Sequence, residues 1–224
     1  MDQRRSREAW RVLRIQSELV DGIEHLATIG PSVTIYGSAR LGPTSPYYQQ
    51  ARELARRFGE VGLNVLTGGG PGIMEGANEG AFATDSCSIG LNIKLPHEQD
   101  ANRFQDMSLD FRYFFVRKLM FVKHAMGFVV FPGGYGTMDE LFEALTLVQT
   151  GKTRAFPIVL IGSSFWGGLV QWMRGTMQAE GCIGEDDMEL FRVTDSVTEA
   201  FDIVYQNFCS LPEEDLRDNL PANV

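Results

Sequence analysis

Short apolar runs rich in β-branched residues alternate with longer amphipathic stretches along most of this chain. Alternation of this kind is typical of βαβ units built around a parallel sheet. Each run is mostly apolar, as expected for strands covered by helices on both faces. The sequence therefore predicts an α/β fold with a parallel sheet. The predicted strands are Val33–Tyr36, Asn64–Thr67, Ser88–Ile93, Gly127–Phe131 and Pro157–Ile161.

Helical periodicity fills the intervals between these strands. The first helix precedes the sheet, and its apolar residues should pack on the domain or on a partner subunit. We therefore expect a helical extension at 1–30 and an α/β domain at 31–209, followed by a flexible tail at 210–224, which is polar and contains two prolines. The predicted helices are Ser6–Ala27, Pro46–Phe58, Gly72–Ala83, Tyr113–Met126, Thr137–Thr150, Phe165–Glu180 and Val197–Phe208.

The charge balance narrows the choice of partners. A net charge of -9 repels phosphate polymers, so nucleic acid is a poor partner, whereas a small phosphate ester can still bind a local cluster of donors. The 3 cysteines are far apart and predict neither a metal site nor disulfides. No secretory signal or membrane-spanning stretch is recognisable, so we expect a cytoplasmic protein that does not enter a membrane.

Three glycine-rich segments follow predicted strands: Gly37–Arg40, Gly68–Gly72 and Pro132–Thr137. Ligands of open parallel sheets bind beyond the carboxyl ends of the strands, where glycine lets backbone N–H groups approach phosphate oxygens. Any one segment could be a tight turn only, but three together favour a ligand site. Ser38 would donate to phosphate, and Thr137 would add a hydroxyl and an N-cap. No segment is a Walker A sequence or a dinucleotide fingerprint, so a mononucleotide fits better than NAD or ATP.

Charged residues beside these segments are candidates for the chemistry. Glu140 follows Thr137 at capping-box spacing, so it either caps the helix or faces the ligand. Arg117 and Lys118 lie about 100° apart on a predicted helix, and the planar guanidinium makes Arg117 the better ligand-facing candidate. Glu75 stands in the first turn of its helix, where the dipole favours a carboxylate with or without a ligand.

Three sequence segments together resemble the LONELY GUY (LOG) family. They are GGGPGIME at Gly68–Glu75, RK at Arg117–Lys118 and PGGYGTMDE at Pro132–Glu140. The likeness spans roughly Val33–Phe208. It implies a Rossmann-like, doubly wound parallel sheet and a homodimer or larger assembly. It also implies phosphoribohydrolase activity on nucleoside 5′-monophosphates, such as AMP or cytokinin riboside monophosphates, without a cofactor. The long first helix is similar to that of the longer bacterial subgroup.

The resemblance also implies roles for individual residues. Arg117 and Glu140 would be the catalytic pair, with Glu140 stabilising an oxocarbenium-like ribose and orienting water. No metal is expected. The name lysine decarboxylase, often given to members, would require pyridoxal phosphate on a lysine, for which the glycine segments offer no candidate. The residues predicted to bind substrate and phosphate are Gly37, Ser38, Gly69, Gly70, Gly72, Glu75, Lys118, Gly133, Gly134, Tyr135, Gly136 and Thr137.

A second function stays open on the sequence. Molybdenum-cofactor carrier proteins are similar, and a carrier would use the same glycine loops to bind a nucleotide or cofactor without turnover. A carrier has no use for a carboxylate at the sugar, so the pair Arg117 and Glu140 favours the enzyme.

Overall fold

The computed structural model describes residues 3–95 and 101–212. The tail predicted at 210–224 lies outside these residues from 213 onward, and Ser210 ends the last helix. The helices are α1 Gln3–Leu26, α2 Pro46–Glu60, α3 Ile73–Phe82, α4 Phe114–His124, α5 Tyr135–Gln149, α6 Ser163–Trp172 and α7 Val197–Ser210. The strands are β1 Ser32–Tyr36, β2 Asn64–Thr67, β3 Ser88–Ile93, β4 Met107–Phe111, β5 Ala125–Val130, β6 Ile158–Ile161 and β7 Arg192–Thr194.

Within the described residues the strands form one parallel sheet in the order β4-β3-β2-β1-β5-β6-β7. The chain builds outward from β1 to β4 and then returns to the other side of β1 as β5. The strand order therefore reverses between β1 and β5, which is the place where such sheets bind ligands. The predicted Rossmann-like, doubly wound fold is confirmed.

Helices cover both faces of the sheet and bury two apolar layers. One layer joins α2, α3 and α7 to the sheet, with Phe58 and Val204 among its buried residues. The other joins α4, α5 and α6, with Phe121 and Trp166 fully enclosed. Tyr36, the last residue of β1, packs in this second layer. None of the described helices combines the length and apolar character needed to cross a bilayer.

The first helix packs on α4, as the sequence predicted for the domain side of its surface. The Glu18 carboxylate accepts hydrogen bonds from the backbone N–H groups of Arg112 and Tyr113, at 3.1 and 3.3 Å, immediately before α4 begins. A different side of the helix stays uncovered, because Trp10 and Leu13 are exposed. The extension therefore braces the amino end of α4 and presents an apolar surface to solvent.

Two strands were not predicted, and some boundaries differ from the sequence prediction. Strand β4 alternates half-buried and exposed residues, and β7 has only 3 residues, so neither is the continuous apolar run by which the other strands were recognised. The helix predicted to reach Met126 ends at His124, and β5 begins at the next residue. Ala125 and Met126 are apolar residues that also fit the helical pattern of α4, so periodicity gives no signal at the junction. The helix predicted at Phe165–Glu180 is α-helical only from Ser163 to Trp172 and continues as a π-helix at Met173–Gln178.

Candidate active site

The three glycine-rich loops meet at the point where the strand order reverses. The Ser38 N–H donates to the Pro132 carbonyl at 3.0 Å, and the Ile73 N–H donates to the Ser38 carbonyl at 3.0 Å. The loop after β1 is thus bonded to the loops after β5 and β2, and the predicted convergence is confirmed. A cavity of about 860 Å³ opens beside them, a size typical of small-molecule sites.

The predicted residues that line this cavity come from the loops after β1 and β5 and from α4 and α5. They are Gly37, Ser38, Arg117, Gly133, Gly134, Tyr135, Gly136, Thr137 and Glu140.

The amino end of α5 forms one wall of the cavity. The helix begins at Tyr135, and its first intrahelical bond runs from the Met138 N–H to the Gly134 carbonyl at 3.0 Å. The N–H groups of Tyr135, Gly136 and Thr137 therefore have no acceptor within the helix. Together with the positive end of the helix dipole, they make this wall suited to an anion.

The predicted N-cap role of Thr137 is wrong. The capping-box alternative for Glu140 is therefore wrong as well. Thr137 is the third residue of α5, Gly134 occupies the cap position, and no side chain caps the helix. The Thr137 side chain instead packs against Gly133, where a Cβ would collide with it. Glu140 faces the cavity one turn further along. The PGG turn places the helix start earlier than the threonine signal indicated.

Glu140 is a buried carboxylate, with 7% of its side chain exposed. Burial raises the pKa of Glu140 from 4.5 to about 7, although the charges of Arg117 and Lys118 act in the opposite direction. The nearest Glu140 oxygen lies 3.9 Å from Arg117 Nη2. That spacing is an ion pair without a close hydrogen bond. A carboxyl group with a pKa near neutrality can both accept and return a proton at physiological pH.

Arg117 reaches the cavity from the first turn of α4. Its guanidinium lies 5.4 Å from the Phe114 ring centre and 5.7 Å from that of Phe121. Nη1 donates to the Leu91 carbonyl at 3.4 Å, whereas the buried Nε has no hydrogen-bond partner among the described residues. Burial lowers the pKa of Arg117, and the Glu140 charge opposes that shift. The guanidinium thus keeps donor capacity for a ligand.

Lys118 and Glu75 do not line the cavity. The Lys118 ammonium pairs with Asp139 at 3.0 Å and with Glu143 at 2.9 Å, which ties α4 to the outer side of α5. Glu75 lies near Tyr48, whose pKa is raised mainly by burial and by its hydrogen bond to Glu79, with a smaller contribution from the Glu75 charge. Neither position supports the predicted contact with substrate.

The loop after β2 contributes only Gly68 to the cavity wall. Gly69, Gly70 and Gly72 were predicted to bind phosphate, but they do not line the cavity. Gly69 and Gly72 have φ values of +70° and +71°, which disfavour other residues. A Cβ at Gly72 would also collide with the Ser38 carbonyl. These glycines permit the turn and the close contact between loops.

Side-chain amides from a later part of the chain hydrogen-bond to the carbonyl groups of this loop. Asn102 Nδ2 lies 3.0 Å from both the Gly69 and the Gly70 carbonyls, and Gln105 Nε2 donates to Gly69 at 2.8 Å. The Thr67 hydroxyl accepts from the Gly69 N–H at 2.9 Å. Sequence reasoning missed this network, because residues 33 to 36 positions away supply the amides. The loop is therefore fixed by the protein itself.

Several cavity residues were missed from the sequence. Arg40 could have been found, since it follows Gly37 and Ser38 in the same loop. The others are mostly apolar side chains, which a sequence pattern does not separate from the core. The missed side chains that line the cavity include Tyr36, Arg40, Leu41, Tyr47, Met74, Phe121 and Phe165.

The lining does not fit pyridoxal phosphate. That cofactor is held through a lysine Schiff base, and none of the described residues around the cavity is a lysine. Lys118, the lysine beside the site, is engaged with two carboxylates outside it. Across the described ranges, no cluster of three or more histidine, cysteine, aspartate or glutamate side chains could hold a metal ion.

Comparison with known proteins bears on the origin of this site. A family model described as "Possible lysine decarboxylase" matches residues 74–204. The chain is also 31% identical to the cytokinin riboside 5′-monophosphate phosphoribohydrolase of Mycobacterium tuberculosis over 178 residues, which cover 75% of this chain and 90% of that protein. The chain belongs to the LONELY GUY family. The family resemblance inferred from the three sequence segments is confirmed. The description as a lysine decarboxylase does not fit the cavity, because no lysine of the described residues lines it.

Other LONELY GUY relatives differ in length. The rice protein named cytokinin riboside 5′-monophosphate phosphoribohydrolase LOG is 27% identical over 69% of this chain and 64% of its own. The Escherichia coli K12 pyrimidine/purine nucleotide 5′-monophosphate nucleosidase is 30% identical over 51% of this chain, but that match covers only 28% of the larger protein.

Solved structures agree with the fold. The molybdenum cofactor binding protein of Rippkaea orientalis superposes with a TM-score of 0.61 at 18% identity, covering 81% of this chain and 99% of that one. The Moco carrier protein of Chlamydomonas reinhardtii gives a TM-score of 0.55 at 22% identity, with the same coverage. At these identities the likeness concerns the fold alone.

Proposed function

We propose that this protein hydrolyses the N-glycosidic bond of nucleoside 5′-monophosphates, releasing free base and ribose 5-phosphate. The observation that carries the proposal is Glu140, a buried carboxyl with a pKa of about 7. It faces a cavity whose wall is the amino end of α5. The names of the Mycobacterium tuberculosis and rice relatives support this reaction class.

The phosphate would bind at the amino end of α5. The N–H groups of Tyr135, Gly136 and Thr137 are unpaired within the helix and face an open region. A Cβ at Gly134 or Gly136 would meet no atom within 4 Å, so the wall has room for an anion there. Ser38 approaches the same end from the loop after β1.

The ribose would then extend toward Glu140. Glu140 stands four positions after Gly136, which is about 6 Å along a helix. A nucleotide anchored by its phosphate therefore places its sugar beside the carboxylate. Binding energy at the phosphate holds the sugar in position for reaction.

Glu140 and Arg117 would divide the chemistry between them. The ionised Glu140 takes a proton from water, whose oxygen forms the new bond at C1′ while the C1′–N bond breaks. The carboxylate also stabilises the positive charge that develops on the ribose. The departing base takes the electron pair of the broken bond, and the proton held by Glu140 passes to it. Arg117 holds the ribose hydroxyls with its unsatisfied donors.

The phosphate anchor can be tested by comparing AMP with adenosine. Adenosine contains the same glycosidic bond but lacks the group that the α5 wall would bind. Because a hydrogen bond to a charged group contributes about 1.5–3 kcal/mol, losing several should lower kcat/KM at least about a hundredfold. Base release followed by chromatography measures both substrates. Equal rates for AMP and adenosine would contradict the phosphate site.

A homodimer or larger homo-oligomer is also part of the proposal. On α4, Phe114 and Phe115 are 50% and 55% exposed beside the site, and Tyr135 on α5 is 97% exposed. Aromatic side chains clustered on a surface are typical of interfaces. Sedimentation velocity should show a species larger than the 25.0 kDa chain. A purely monomeric protein would contradict this part, and a cytoplasmic location stays a prediction.

A further inference from the structure

Tyr36 lines the cavity at the end of β1, and its phenol hydroxyl is buried. It is the last residue of the strand and lies where the strand order reverses. Its ring packs edge-on against Phe121 at 5.1 Å and Phe128 at 5.2 Å, with interplanar angles of 70° and 85°. These two contacts fix the direction of the ring, so the buried hydroxyl has a defined position.

The Tyr36 hydroxyl is buried and has no hydrogen-bond partner among the described residues. Buried tyrosine hydroxyls usually find a partner, because leaving one unpaired is costly. Tyr48 shows the ordinary arrangement, since its hydroxyl donates to Glu79 at 2.9 Å away from the cavity. The unpaired Tyr36 donor therefore indicates a hydrogen-bond acceptor within the candidate active site.

Glu140 is the acceptor that the contacts indicate. Tyr36 and Arg117 pack against the same Phe121 ring, at 5.1 and 5.7 Å, and Arg117 lies 3.9 Å from Glu140. Burial raises the pKa of Tyr36, the Glu140 carboxylate raises it further, and Arg117 opposes both. Tyr36 thus stays neutral and keeps its proton at physiological pH, with a carboxylate close enough for its charge to be felt. Hydrogen bonds at catalytic groups are often long in an empty site and tighten when substrate binds.

We propose that Tyr36 is a positioning residue whose hydroxyl donates a hydrogen bond to the Glu140 carboxylate, holding it ionised and aimed at the ribose. The role in turnover rests on the function proposed for Glu140. The hydrogen bond itself is a property of the site and can be measured without turnover.

The other charges that face Glu140 come from two helices. Arg117 and Lys118 on α4 favour the ionised carboxylate, whereas Asp139 and Glu143 on α5 oppose it. Tyr36 on β1 adds a neutral donor to this set. Tyr36→Phe therefore removes one hydrogen bond and changes no charge.

The kinetic test compares the pH dependence of AMP hydrolysis in wild type, Tyr36→Phe and the control Tyr48→Phe. Loss of a hydrogen bond to a carboxylate should move the acid limb of the kcat profile upward by about one pH unit. At pH 6 the Tyr36→Phe rate should fall by about tenfold, and the two rates should converge above pH 9. An unmoved acid limb, or an equal loss at every pH, overturns the proposal.

A second measurement separates this proposal from the proposed function. Carboxyl ¹³C NMR follows the titration of Glu140 in the presence of ribose 5-phosphate, with Glu140→Gln identifying the signal. In Tyr36→Phe the titration midpoint should rise by about one pH unit, whereas Tyr48→Phe should match wild type. An unchanged midpoint in Tyr36→Phe refutes the hydrogen bond even if no nucleotide is cleaved.

Discussion

Arg117 and Lys118 are neighbours on α4, and both face carboxylates of α5, yet their surroundings differ. Lys118 contacts Asp139 and Glu143 at 3.0 and 2.9 Å, and those carboxylate side chains are 59% and 33% exposed. Arg117 lies 3.9 Å from Glu140, with both side chains almost fully buried. Its Nε has no partner among the described residues.

The outer cluster, Lys118 with Asp139 and Glu143, is closely paired, whereas the inner pair, Arg117 and Glu140, is not. Burial lowers the pKa of Lys118, but its hydrogen bonds to Glu143 and Asp139 outweigh burial and raise that pKa, and they join the two helices. The inner pair bears the desolvation cost of two charges and leaves donor capacity unused, which is unfavourable for a purely structural bridge. Unused donors and a raised pKa are what a ligand site needs, so the difference supports the binding and chemical roles that we propose for Arg117 and Glu140.

The largest expected effect is on the rate after Glu140→Gln. The substitution keeps the shape of the side chain but removes the proton acceptor. Turnover of AMP should fall by about two to four orders of magnitude, the usual size of an acid/base contribution. Glu143→Gln, in the outer cluster, should stay within about threefold of wild type. Comparable losses in both variants would erase the distinction between the two clusters.

Exchanging the two cations tests the comparison next. Arg117→Lys keeps the charge but removes the planar fork, so kcat/KM should fall by about ten- to a hundredfold, equivalent to about 1.5–3 kcal/mol. Lys118→Arg should retain near-normal activity because that ammonium does not line the cavity. Steady-state kinetics on AMP measure both. A more damaging change at Lys118 would reverse the assignment.

A smaller effect is expected on stability, with a defined pH dependence. Burial raises the pKa of Glu140 from 4.5 to about 7, so the folded protein binds the proton more tightly than the unfolded chain. Ionising Glu140 therefore costs folding free energy progressively from about pH 4.5 to pH 7 and fully above that range. Glu140→Gln should match wild type near pH 4.

At pH 8 the same variant should be more stable than wild type by about 3 kcal/mol, the amount that the pKa shift implies. The attraction of Arg117 is already part of that shift. Urea unfolding at the two pH values measures this. Glu143→Gln should give no such gain, and a Glu140→Gln protein less stable at pH 8 than wild type would contradict the account.

The sequence predicted the inner pair, but it wrongly placed Lys118 among the substrate-binding residues. Adjacent positions on a helix point about 100° apart, and the planar guanidinium made Arg117 the better ligand-facing candidate of the two. Glycine-rich segments after the first strand and after Phe131 located the cavity. These inferences succeeded because they depend on local geometry and on the rule that parallel strands end at one edge.

Inferences that depend on distant residues failed. Gly69 and Gly70 were predicted to bind phosphate, but neither lines the cavity. The side-chain amides of Asn102 and Gln105 donate to the carbonyl groups of their loop. Tyr36 was predicted only as the end of an apolar strand, although it lines the cavity and carries a buried hydroxyl without a hydrogen-bond partner among the described residues. Sequence alone does not show which loops pack together or which strand residues open onto a pocket.

Release of base from AMP tests the central claim most directly. Purified protein is incubated with AMP, and adenine and ribose 5-phosphate are quantified by chromatography over several hours, with Glu140→Gln as the blank. We predict equimolar adenine and ribose 5-phosphate from wild type and almost none from the variant. Binding of AMP without release of adenine would contradict the hydrolase and favour a carrier that uses the same loops.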